Sequence, residues 1–511
     1  MLILKRFIAL IMTLITLLIA YAQGTAFSAD IDLSLINGIR QEGDASSMTI
    51  KVNQKIRYQT VNGWGTSACW WSQMIDDDET REDIAKLLFS EEGLGLNIYR
   101  YNIGGGYDPN VERVTDPWRL TESFYYYNEE TGKYEYDFTR DANAQKMLEK
   151  ALSYGCVDTV ILFANSPHYS MTVTGQSSGG TEEYTSNLKK ECYDDYVDYL
   201  LTITEYFISK GVPVKYISPI NEPQWSWGGD WVGQEGCHYE PDEIVELMHL
   251  LAEGITERGL DVKICGPESG EMSENTQNYF KSLLSDNVIA DKIGTLSYHS
   301  YWSDDDMLGR QSFSRWLKTN CYGYDISMSE WCELPCVSRT DSMEAALKMG
   351  RIISQDMKYT GVNSWSSWVA VNNHGTEIPE NGDYSDGLIS ASSDFSNYYL
   401  TTRYYAMAHY TKYVPIGSVV LSSNSNIFPI KMNSDGLVTS DVNYSAYKTP
   451  QGEIVIVIVN EGDARSFSFD TAGSTMTVIQ SDNEKKLQEV YSGKLTSIEL
   501  PAQSIATVII K

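Results

Sequence analysis

Between residues 59 and 411, short apolar runs alternate with amphipathic helical stretches, and they do so eight times. The runs are VNGWGTS, LNIYRYN, TVILFAN, YISPINE, VKICGPE, TLSYHSY, DISMSEW and SWSSWVAV. Helical periodicity fills the intervals, as at 79–89, 142–154, 192–210, 241–258 and 342–360, with 398–411 after the last run. Eight strand–helix repeats are what a closed (β/α)8 TIM barrel requires, and little else accommodates them. The expected class is therefore α/β, with the catalytic barrel at 59–411.

After Lys412 the periodicity changes. Segments 417–421, 444–448, 453–460, 466–469, 475–480 and 505–510 are short, and Gly, Asn, Asp and Ser turns separate them. Several are rich in β-branched residues, which predicts an accessory all-β sandwich domain over 412–511. Segment 48–55 is one more strand with no helix after it, so it is expected to complete that domain from the other end of the chain. Residues 1–22 carry the three parts of a secretory signal peptide: Lys5 and Arg6, an apolar run from Phe7 to Ala20, and the small-x-small Ala20-Tyr21-Ala22. The run is short for a membrane span, and no later stretch is long and apolar enough to be one. The expectation is a secreted, extracellular protein with no membrane partner.

Lys and Arg number 39 against 69 Asp and Glu, a net charge of −30. Such a surface repels nucleic acid and anionic lipid and makes a polyanion an awkward substrate; it also simply keeps an extracellular protein dissolved. The 8 cysteines are scattered, with no CxxC pair and no His at ligand spacing, so no metal is expected and disulfide pairing stays open. The informative excess is aromatic, 35 Tyr and 12 Trp. The apolar face of a pyranose packs on a flat π surface, which favours a polysaccharide or oligosaccharide as partner.

In such a barrel the active site lies at the C-terminal ends of the strands. Strand four ends in Ser218-Pro219-Ile220-Asn221-Glu222-Pro223-Gln224-Trp225, and strand seven in Met328-Ser329-Glu330-Trp331. A carboxyl at each of two strand mouths is the equipment of retaining glycoside hydrolysis. One protonates the leaving oxygen, the other attacks the anomeric carbon, and the two stand about 5–5.5 Å apart. Asn221 is placed to hydrogen-bond a sugar 2-hydroxyl, and Trp225 and Trp331 can wall the site and lower its dielectric. A lone surface Glu is ordinarily a solvated charge; two at these strand ends, within these strings, point to catalysis.

Those two strings, with GWGTSACWW, NIYRYNIGGG, NSPHYSMTVTGQSSGG and LSYHSYW, resemble glycoside hydrolase family 30 across the barrel and the flanking sandwich. The resemblance implies Glu222 as general acid/base and Glu330 as nucleophile, with no cofactor. It implies Arg100 as a buried strand-two Arg beneath the site, Tyr301 as the Tyr approaching the nucleophile, and Trp368 as the strand-eight Trp under the bound sugar. Trp64 and Asn165, inside the matching strings, and His299, ending strand six, are further expected substrate contacts beside Asn221 and Trp331. Within the family, NSPHYSMTVTGQSSGG and QEGC (234–237) look most like the endo-β-1,6-galactanase branch, whose members cut β-1,6-linked galactan side chains of arabinogalactans. His168 departs from the pattern, standing where many relatives carry a second Pro.

Plain structural roles compete at several positions. Trp70 and Trp71 suit packing as well as a sugar platform, Arg100 could serve only to neutralise the carboxylates, and His168 suits scaffold as well as site. His238, His249, His374 and His409 read as loop or helix-surface residues, and Gly104-Gly105-Gly106 as backbone clearance. The run Asp76-Asp77-Asp78-Glu79 reads as an acidic helix N-terminus, since consecutive side chains do not converge on one calcium ion. A xylanase or glucuronoxylanase is the second enzymatic reading. It would want a cation for a uronate, yet 371–390 has no Lys or Arg and carries Glu377, Glu380, Asp383 and Asp386. A β-glucosidase or a lysosomal-type glucosylceramidase is a third; the latter would want a greasy, lipid-binding rim, and these loops are rich in Ser, Gly and Asp. A non-enzymatic carbohydrate-binding protein would be favoured by loss of either glutamate, and both are present.

Overall fold

The computed structural model describes residues 46–108, 114, 116–229, 233–373, 383–433 and 436–511. The signal-like segment 1–22, with His374, Glu377 and Glu380, lies outside the described residues.

Eight parallel strands close into a barrel in chain order: Gly63–Ser67, Ile98–Asn102, Thr159–Phe163, Val214–Ser218, Lys263–Glu271, Ile293–Tyr301, Asp325–Glu330 and Ser364–Val369. The eighth pairs back onto the first, Trp365 opposite Trp64. Their helices are Asp78–Phe89, Ala142–Ser153, Tyr193–Ser209, Pro241–Glu257, Glu274–Ser285, Met307–Asn320, Met343–Gln355 and Thr402–Thr411. A parallel strand covered by helices on one face and packed inside the barrel on the other has no wet side, so its residues read as nearly continuous apolar runs. Thr159–Phe163 is buried at every position. Helix starts follow local chemistry as well: Pro241 opens its helix behind a capping box of Glu240 and Glu243. Residues 398–400, expected to be helical, instead form a short strand, Tyr398–Leu400, antiparallel to Ile389–Ala391; the helix begins only at Thr402.

The second domain is the expected all-β sandwich; nine of its strands make one continuous sheet, and Ile430–Met432 pairs with Val438–Ser440 as a separate two-stranded one. The spatial order of the nine is Gln488–Lys494, Thr475–Ser481, Ser504–Ile510, Ile454–Asn460, Val442–Lys448, Val419–Ser425, Ser47–Thr60, Arg465–Asp470 and Ile498–Leu500. Ser47–Thr60 runs antiparallel to Val419–Ser425 and parallel to Arg465–Asp470. Met48, Ile50, Leu421, Ile456, Phe467 and Val508 meet in its core. The other face of Ile454–Asn460 packs on the barrel, where Val459 and Ile505 lie 3.1 and 3.2 Å from where a Cβ on Gly350 would stand. His409, read from sequence as a surface residue, is buried at this junction between the hydroxyls of Thr507 and Ser481; burial lowers its imidazole to about 3, so it is neutral.

All eight cysteines are free thiols. Among the described residues no helix is long and apolar enough to cross a membrane. The acidic run has an ordinary use: Asp77 caps the first barrel helix by accepting the Thr80 N–H at 2.7 Å, and Asp78 pairs with Arg81. Asp76, Asp77, Glu79 and Asp83 do share a cleft of about 470 Å³ with Asp394 and Tyr398. Asp394, however, is held at about 2 by the hydroxyls of Ser392 and Ser396 and the Ser396 N–H, all three donating to its Oδ1. The melting temperature is therefore expected to be the same in EDTA and in millimolar calcium. A calcium-dependent rise that disappears in Asp77→Ala would show that the cleft holds an ion.

Candidate active site

Side chains alternate along each strand, and the inward members of strands two, four, five, six, seven and eight converge at one mouth of the barrel. At its centre lies Arg100, fully buried, with its guanidinium 3.6 Å from the centroid of the Phe163 ring. Nη1 donates to Glu330 Oε2 at 2.7 Å, Nη2 donates to Asn221 Oδ1 at 2.8 Å, and Nε stands 3.5 Å from Glu268 Oε1. His299 is the second cation. Its Nδ1 lies 3.0 Å from Glu222 Oε1 and 3.6 Å from Glu330 Oε1, and its Nε2 lies 3.4 Å from Glu268 Oε2. Burial disfavours an imidazolium here, but Glu330, Glu222 and Glu268 outweigh it and raise His299 to about 9. Tyr301 completes the arrangement, its hydroxyl donating to Glu330 Oε1 at 3.0 Å.

Glu222 and Glu330 are thus joined through one ring nitrogen, and an oxygen of each lies within 4.8 Å of the other. With His299 they form a trio whose ligand atoms all lie within 4.8 Å of one another, close enough for one metal ion to span. Burial raises the Glu330 carboxyl above the ordinary carboxylate range, with His299 and Arg100 pulling the other way.

The backbone is bent to present these groups. Glu222 sits at φ 46°, in the left-handed region, with its N–H on the Glu268 carbonyl at 2.8 Å and its own carbonyl accepting the Trp227 indole N–H at 2.7 Å. Glu268 is left-handed as well, at φ 58°. Such conformations cost of order 1–3 kcal/mol each in a residue with a Cβ and persist where the surroundings over-determine them.

Glu268 is the member that sequence reasoning missed. It is fully buried at the end of strand five, inside the string VKICGPE, and accepts from Ser218 Oγ at 3.2 Å and from Ser329 Oγ. Against the cost of burial, Arg100 first and then His299 and Ser329 hold it at about 2. The one signal available was its place, a polar residue at a barrel-strand mouth.

The other expected contacts divide. Trp368 is half-buried, edge-on to Trp70 at 5.4 Å, with Arg100 5.9 Å from its centroid. Asn165 reaches Asn102 Oδ1 at 3.3 Å and Cys69 Sγ at 3.6 Å on the strand-three rim. Trp64 and Trp331 face away from the cluster. Trp64 is on the outward parity of strand one, packed on Tyr410 with its N–H on the Val414 carbonyl, so it is a wall residue rather than a sugar contact. Trp331 packs on Trp365 with its N–H on Asp304. His168 is scaffold: buried and lowered to about 3, it donates from Nε2 to the Tyr125 carbonyl and accepts the Ser170 N–H at Nδ1. In the strand-eight loop, Asp383 is buried under the hydroxyls of Ser385, Ser390 and Tyr399, whereas Asp386 lies against Cys332, beside Tyr301.

A TIM barrel with a carboxyl at the mouths of strands four and seven, over a buried Arg, is the frame of a glycoside hydrolase. The profile of O-glycosyl hydrolase family 30 matches residues 47–390, and that of the glycosyl hydrolase family 30 beta sandwich domain matches 428–508. The chain belongs to this family and is an enzyme acting on glycosides. It is 25% identical over 454 residues to an endo-beta-1,6-galactanase of Hypocrea rufa, covering 83% of this chain and 85% of that one. It is 23% identical over 361 residues to a glucuronoxylanase of Bacillus subtilis, covering 69% and 74%. Among solved structures, a conserved exported protein from Bacteroides fragilis aligns with a TM-score of 0.74 at 25% identity, covering 90% of this chain and all of that one.

Proposed function

We propose that this chain is a secreted, retaining β-glycosidase with Glu222 as general acid/base and Glu330 as nucleophile, acting on uncharged β-1,6-linked galactan. The observation behind the mechanism is the pair of carboxyls bridged by one imidazolium, with oxygens within 4.8 Å. Inversion needs about 6.5–9.5 Å, to leave room for a water between carboxyl and sugar. Glu330, oriented by Arg100 and Tyr301, attacks the anomeric carbon while Glu222 gives its proton to the departing oxygen. Glu222 then takes a proton from the water that releases the sugar from Glu330. Asn221, anchored by Arg100, is the donor for the sugar 2-hydroxyl, an interaction that strengthens at the transition state.

The galactan assignment has two supports: the galactanase relative, and a charge argument. A uronate near strand eight would meet Asp386, and 371–390 offers no Lys or Arg to offset it. Secretion is supported by residues 1–22 and by the similarity to the conserved exported protein of Bacteroides fragilis. Comparing kcat/KM on β-1,6-galacto-oligosaccharides and on glucuronoxylan fragments tests the substrate, with a preference of at least about a hundredfold for galactan expected. A clear preference for the uronate-bearing xylan would sink the galactan reading and leave the two glutamates untouched.

A further inference from the structure

In retaining hydrolysis the acid/base carboxyl stands beside the bond that breaks, so the departing sugar lies on its side of the cleft. On the Glu222 side two tryptophans face each other. Trp225 follows Glu222 in a tight turn, its N–H on the Glu222 carbonyl at 3.2 Å. Gly270 underlies both: a Cβ there would stand 2.8 Å from Glu222 Oε1 and 2.8 Å from Trp225 Nε1, so the indole N–H and the acid are close neighbours. Trp302, directly after Tyr301 on strand six, is 58% exposed. It stands at φ 60°, a conformation that L side chains rarely adopt, with its ring at 89° to Trp225 and 6.4 Å from it. The aromatics on the opposite side, Trp70 and Trp368, are buried and half-buried. Trp302 is thus an open indole held in a strained turn, its ring set edge-on to the tryptophan that neighbours the acid.

We propose that Trp302 and Trp225 form a subsite for the leaving-group sugar, with the Trp302 face as the platform and the Trp225 edge as the side wall. The two rings at right angles fit the apolar face and one edge of a pyranose, and the Trp225 N–H is free to meet a hydroxyl near the bond being cleaved. The ligand class is a neutral hexose unit, as a departing residue or as an acceptor attacking the glycosyl-enzyme. This deepens the reading above and rests on Glu222 being the acid/base.

The test compares two substrates in Trp302→Ala. A β-1,6-galacto-oligosaccharide places a sugar on this wall; β-galactobiosyl fluoride has a leaving group too small to reach it. The loss in kcat/KM on the oligosaccharide should exceed the loss on the fluoride by about tenfold, the worth of one aromatic platform. Added galactose should also capture less of the glycosyl-enzyme, and Trp302→Phe should restore most of both effects. Equal losses on the two substrates, as a general weakening of the fold would give, overturn the proposal, and so does capture by galactose that is the same as in the parent. Labelling of Glu330 by a slow substrate succeeds or fails independently of that ratio, so failure of the mechanism is distinguishable from failure of the subsite.

Discussion

Glu330→Gln is expected to cut turnover by about 10⁴-fold or more on every substrate and to leave no glycosyl-enzyme. The amide keeps the shape and can still accept from Tyr301, but it has no charge for Arg100 and cannot attack the anomeric carbon. Intact-mass measurement with a 2-fluoro glycoside reads this directly: one adduct on the parent, none on the variant. Glu222→Gln should behave differently. It should be crippled on galacto-oligosaccharides and far less affected in cleaving aryl glycosides, whose leaving groups need little help from a proton. Equal losses on all substrates in both variants would make the division of roles wrong.

The second large effect is expected at Glu268. Glu268→Gln leaves the Arg100 and His299 charges short of a buried counter-ion, and should lower stability at neutral pH by roughly 3 kcal/mol. Its pH dependence has a definite sign. Glu268 is depressed from the ordinary 4.5 to about 2, so its contribution is present in full above the ordinary range and is lost as pH falls through the folded value. The stability gap between parent and variant, measured by urea unfolding, should therefore be widest near neutrality and close between about pH 4.5 and 2. A gap that stayed constant over that window would mean that the Glu268 carboxyl is not ionised. The variant should also release His299, which Glu268 helps to hold at about 9, and imidazole titration followed by NMR should move down.

The barrel was readable because parallel strands with two dry faces leave long apolar runs, and the two glutamates were readable because each ends such a run inside a distinctive string. Glu268 also ends its run, but nothing in one dimension shows that strands two, five and six point Arg100, Glu268 and His299 at one another. Trp64 failed on parity: GWGTS reads equally well with either face inward, and only its contact with Tyr410 fixes Trp64 outside. Gln488–Lys494 escaped as a strand because it is an edge, mostly exposed and held by a single neighbour, so it carries no apolar alternation to read. His409 looked like surface because a helix facing a second domain has no wet side to announce itself.

The strand Ser47–Thr60 has a consequence for how the chain is assembled. It leaves the ribosome before the barrel, while both of its partners, Val419–Ser425 and Arg465–Asp470, emerge after it. The barrel is then topologically a loop inserted in a sheet, and its own strands, each paired with the next in sequence, can close without waiting. The first strand must meanwhile hold two unpaired edges until synthesis is nearly over. Closing so long a loop costs little more than closing a short one, since the entropy grows only with the logarithm of length. The hazard is kinetic: a strand whose apolar face carries Met48, Ile50 and Val52 waits with nothing to pair with. Shortening either terminus removes strands from one and the same sheet, so loss of the last strands should bring down the first.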